Sequence, residues 1–137
     1  MPYYFSTKLK IGFDEAIEQV QDALKKEGFG VISEIDLQQA FKDKIGVDFR
    51  RYTILGACNP ALAHQALTLE DKVGTMLPCN VIVQELEDGV EVAAVNPIAS
   101  MQAIPNEQLA QKAEEVAIRL ERVIHNISAA APVVAHL

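Results

Sequence analysis

Apolar positions along this chain switch repeatedly between a period of two and a helical period. Residues 3–9 are rich in aromatic and apolar residues and read as a strand, which Gly12 breaks. Phe13, Ala16, Ile17, Val20 and Leu24 then fall at helical spacing, with Asp14, Glu15, Glu18 and Lys25 on the other face. Acidic residues in the first turn and Lys25-Lys26 in the last suit the helix dipole, and Gly28 is a natural stop. Residues 29–35 read as a second strand. Asp36 can cap a short helix, with Gln39 at the reciprocal capping-box position and Leu37, Ala40, Phe41 and Ile45 as its apolar stripe. Gly46 ends it, and residues 49–57 read as a third strand.

Asn59-Pro60 is a cap followed by proline at the first helical position, opening a short helix over residues 60–69. Residues 70–77 read as a loop containing Gly74. Residues 79–86 and 90–95 are two further strands, joined by a Glu87-Asp88-Gly89 turn with Asp-Gly at its centre. Asn96-Pro97 ends the fifth strand. Asn106 caps a last helix, whose stripe runs through Leu109, Ala113, Val116, Ala117, Leu120, Val123, Ile124 and Ile127.

This order predicts an α+β fold: a mostly antiparallel sheet of about five strands backed by two long helices, with two short connecting helices. Residues 1–127 are expected to form a single domain. Residues 128–137 form an alanine-rich tail, either disordered or a strap across a dimer partner. A chain of 137 residues, half of them hydrophobic, can bury a real core. Its formal charge of −7 repels phosphate backbones and anionic headgroups, so neither nucleic acid nor a membrane is an expected partner. With no apolar run long enough to span a bilayer, no secretory leader and only two cysteines, the expected location is a reduced cytoplasm.

The run YTILGACNPALAH at residues 52–64 resembles the domain-of-unknown-function family 302, as do LPCNVIV at 77–83 and GFGV at 28–31. The resemblance covers nearly the whole chain up to the final tail. It implies a TATA-binding-protein-like fold, in which a curved antiparallel sheet is backed by two long helices, and it implies a dimer. It implies no reaction, and the fold does not bring DNA binding to so acidic a chain.

If strands three, four and five form a meander, topology brings Cys58-Asn59, Cys79-Asn80 and Asn96-Pro97 to one rim. The alternation of strand four places Cys79 inward with Val81 and Val83. Cys58 immediately precedes a helix cap, where the positive end of the dipole favours a thiolate, and His64 lies one turn further on. The candidate ligand-binding residues are therefore Cys58, Asn59, His64, Cys79, Asn80 and Asn96. The plain reading of the cysteines is buried small hydrophobes. A metal held by Cys58, Cys79 and His64 is not expected, because the close C-x-x-C spacing of strong zinc sites is missing. Arg50 and Arg51 fall on the third strand, where one should face solvent or a carboxylate as paired surface charge. No glycine-rich phosphate loop, Ser-His-Asp pattern or HExxH motif is present, and nothing names a cofactor. The expected function is a non-enzymatic ligand- or partner-binding homodimer with its site near the Cys58/Cys79 rim. The alternative is a thiol-dependent redox or sulfur-handling protein using both cysteines.

Overall fold

The structure is a computed structural model and describes residues 2–130. Alternation builds the sheet. In β1 (Tyr4–Leu9), β3 (Tyr52–Cys58), β4 (Cys79–Leu86) and β5 (Gly89–Val95), alternate residues turn to one inner face. Leu55 and Ala57, then Cys79, Val81 and Val83, then Val90, Val92 and Ala94 are buried there. β2 (Gly30–Asp36) completes five strands in the order β1-β5-β4-β3-β2, every neighbouring pair antiparallel. The β3–β4–β5 meander on which the shared-rim reading depended is present, with Ala57 opposite Cys79 and Val81 opposite Ala94.

Two long helices cover that face. α1 (Phe13–Lys26) buries Phe13, Ala16, Val20, Ala23 and Leu24. It ends in a glycine-terminated turn: Gly28, at φ +86°, and Phe29 donate their N–H groups back to Lys25 and Leu24. α5 (Glu107–Ala130) adds Leu120, Val123, Ile124 and Ile127 to the same core. Among the described residues, no helix is long and apolar enough to cross a membrane.

Several boundaries differ from the sequence reading, each for a local reason. β3 starts at Tyr52 rather than residue 49, because the segment before it wraps α2 (Leu37–Ile45). There Phe49 meets Phe41 edge to face at 5.1 Å, and the Gln38 side chain donates to the Phe49 carbonyl at 3.1 Å. Arg50 and Arg51 thus precede the strand; Arg51 pairs with Asp14 at 2.7 Å. The β4–β5 turn has Glu87 and Asp88 at its centre, since Gly89 already pairs with Leu86. Beyond α2 and α3 (Pro60–Leu69) there are two more short pieces, a 3-10 turn over Asp71–Met76 and α4 (Pro97–Ser100). The Asn96 side chain caps α4 by accepting from the Ile98 N–H at 3.1 Å. α5 also runs past residue 127 to Ala130, continued by good helix formers. The Ser128 hydroxyl lies 3.1 Å from the Ile124 carbonyl and 2.6 Å from the Thr7 hydroxyl. The proposed disorder or strap role of the tail falls, from residue 131 onward, outside the described residues.

The phase of α5 can be checked directly. Leu120 is fully buried, whereas Glu121 is exposed. Leu120→Ala should cost about 2–5 kcal/mol in denaturant melts, and Glu121→Ala less than about 0.5 kcal/mol. Similar costs at the two positions would put the helix in the wrong phase.

Candidate functional site

Where β3 leaves the sheet, its last residue, Cys58, leads straight into a helix start. The Asn59 side chain accepts from the Leu62 N–H at 3.1 Å, and Pro60 fills the first turn. α3 then turns Leu62, Ala63, Ala66 and Leu67 toward Leu109, Lys112, Ala113 and Val116 of α5. The two helix ends are tied by Asn106, which caps α5 through the Leu109 N–H and donates to the Leu69 carbonyl, both at 3.0 Å. Small side chains at Ala57, Ala63, Ala66 and Ala113 leave the space between them unfilled. The result is a cavity of about 280 Å³, closed on its other sides by Phe29, Leu77, Pro78 and Cys79.

The walls are apolar, and the polar groups are few. Cys79 is 6% exposed, and burial, with a smaller contribution from Cys58, pushes its thiol up to about 11. Cys58 is half-buried, and both cysteines are free thiols on the same cavity. Asn59 lies against the turn after α1: a side chain at Gly28 would place its Cβ 2.9 Å from the Asn59 amide nitrogen. Gly28 is thus needed twice, for its positive φ and for this approach. Arg119 donates to the Glu27 carbonyl at 3.0 Å and holds the same corner.

The structure gathers three of the six candidate residues around the cavity: Cys58, Asn59 and Cys79. His64 is exposed on α3 and does not line it. Asn80, one residue past Cys79, points by alternation to the opposite face of the sheet, among Tyr4, Tyr52 and Ile82. Asn96 is buried, but it is spent on the α4 cap and on the Pro2 carbonyl at 3.1 Å. Among the described residues, no three His, Cys, Asp or Glu side chains meet as metal ligands, so Cys58, Cys79 and His64 are not assembled into such a set.

The sequence reading missed the alanines and Lys112. Ala63 and Ala66 on α3, and Ala113 on α5, sit at the spacing of core-facing positions, where larger side chains usually fill the interior. That local shortage of volume was the available signal. Lys112 carried none, because a lysine beside an apolar stripe ordinarily reaches solvent.

The sequence model of the family described as Domain of unknown function DUF302 matches residues 5–127. Among solved structures, the chain is similar to the crystal structure of uncharacterized conserved protein DUF302 from Bacillus stearothermophilus. The two share 26% identity with a TM-score of 0.87, over 93% of this chain and 99% of that one. No match is found among curated proteins.

The raised thiol of Cys79 has a measurable consequence. The folded chain keeps a proton that the unfolded chain releases above about pH 9, so this stability is complete below that pH and lost as pH rises through about 11. The loss should amount to at most about 3 kcal/mol, and Cys79→Ala should flatten the slope over that window. Alkylation of the folded protein should label Cys58 first. Equal labelling of both thiols near neutral pH would contradict the burial of Cys79.

Proposed function

The chain belongs to the family of domain of unknown function DUF302, and from that premise, which names no reaction, we propose that it is a non-enzymatic binding module. Its ligand is small and largely apolar, held at the Cys58/Cys79 end of the sheet, and the module works as a homodimer. The observation that carries this reading is the cavity itself: about 280 Å³ between α3, α5 and the sheet, walled almost entirely by carbon. Sites for small molecules have this character, an apolar concavity with few polar groups.

The homodimer is supported by what the fold leaves uncovered. α2 has no buried residue, although its stripe is apolar. Ile35 on the edge strand β2 is exposed, as are Ile45 at the end of α2 and Val47 just after it. Such residues suit an isologous contact, in which one patch meets its own copy. A thiol-dependent redox or sulfur-handling role is the rival, supported by two free thiols on one cavity. The raised Cys79 thiol weighs against it, because a protonated thiol is a poor nucleophile at neutral pH.

Two measurements test the proposal. Native mass spectrometry of freshly purified protein should report two chains together; a monomer at micromolar concentration would remove the homodimer. 1-Octanol at roughly ten times its Kd should raise the melting temperature by about 4 °C. Ala63→Phe, on a half-exposed part of the cavity wall, should remove that response and leave the fold intact. A wild-type protein indifferent to 1-octanol and to smaller alcohols would sink the cavity reading.

A further inference from the structure

We infer that the cavity selects anionic amphiphiles, specifically medium-chain carboxylates whose alkyl chain fills the apolar interior while the carboxylate meets Lys112 at the mouth. The inference rests on the binding reading above and adds the chemical class of the ligand. Its first support is a gradient of exposure along the wall. Cys79, Leu109 and Ala113 are buried at the inner end. Ile32 is 65% exposed, Leu67 42%, and the Lys112 side chain 34%, so these three mark the opening.

Charge supplies the second support. Among the described residues that line the cavity, Lys112 is the only charged one. Its nearest carboxylate oxygen, on Glu115, is 3.8 Å away, beyond hydrogen-bond distance. Glu115 also serves Arg119 at 3.9 Å, so two cations share one carboxylate and a positive charge is left over at the mouth. A cation beside an apolar cavity is screened less than one in open water, which favours an anionic head there. In a chain of formal charge −7, a local positive site is also the feature that would let an anion approach.

Size supplies the third. A cavity of about 280 Å³ takes a ligand on the order of ten non-hydrogen atoms, the size of octanoate. Longer chains would have to protrude past Ile32 and Leu67.

Calorimetric titration of the intact protein with octanoate and with 1-octanol tests the inference. Octanoate should bind at least tenfold more tightly than 1-octanol at low salt, and the ratio should shrink as salt is added. Lys112→Gln should bring the ratio close to one without weakening 1-octanol, and Lys112→Arg should restore it. If wild type binds both equally, the lysine stem merely covers apolar surface, and the inference fails while the cavity reading stands. A preference that survives in Lys112→Gln overturns the inference too, because another cation would then hold the head. If wild type binds neither probe, the cavity reading itself is lost, and the inference with it.

Discussion

The covering of one sheet face by two helices governs the rest of this structure. A helix with its side chains is about 10 Å across, so α1 and α5 together cover about 20 Å of sheet. Five strands about 4.8 Å apart span about 19 Å between their outer axes. Two helices therefore have little width to spare, and the outermost strands are the least covered. The inner faces of β5, β4 and β3 are buried, β1 buries only Leu9, and β2 contributes no fully buried residue. α2, which follows β2, buries no residue, although its apolar positions recur at helical spacing.

The cavity is a consequence of how α5 is shared. Its second half, from Leu120 to Ile127, lies on the sheet core, while its first half leaves the sheet to meet α3. Two helices meeting through alanines come together without filling the volume between larger neighbours. Local constraints then fix the geometry of the opening. Gly56 allows Pro78 to approach the β3 backbone, since a Cβ there would lie 2.7 Å from the Pro78 ring. Gly28 does the same for Asn59. The end of β3, the start of β4 and the turn after α1 are drawn to one corner, and α3 is hung from it by the Asn59 cap.

Burial also assigns different chemistry to two residues of the same type. Cys79 belongs to the inner alternation of β4 and loses the solvation a thiolate needs, which favours the protonated form. Cys58 ends its strand and keeps partial access to solvent. The thiols thus act first as parts of an apolar wall, and the charge at the cavity comes instead from Lys112, on an element far away in sequence.

Much of the fold was legible because its causes are local. Period-two alternation marks β4 and β5, the helical stripe marks α1 and α5, and Asp36, Asn59 and Asn106 each accept from the backbone N–H that a cap should satisfy. Three of the six residues nominated from the sequence lie on the cavity, since strand direction alone brings Cys58 and Cys79 to one end of the sheet. His64, Asn80 and Asn96 could not be sorted from them in that way. Which way a side chain points at the end of a strand or on a short helix depends on what packs against it: Asn80 turned to the other face and Asn96 was taken by a cap. The sequence by itself determined the main elements and three of their caps, because hydrogen bonding and periodicity act over a few residues, and the succession of those elements pointed to a mostly antiparallel sheet. Only the tertiary structure decided that Ala63, Ala66 and Ala113 face one another, that Lys112 stands at the opening they leave, and that β2 goes uncovered. A cavity is empty volume between side chains distant in sequence, and no local pattern records how far apart those side chains come to rest.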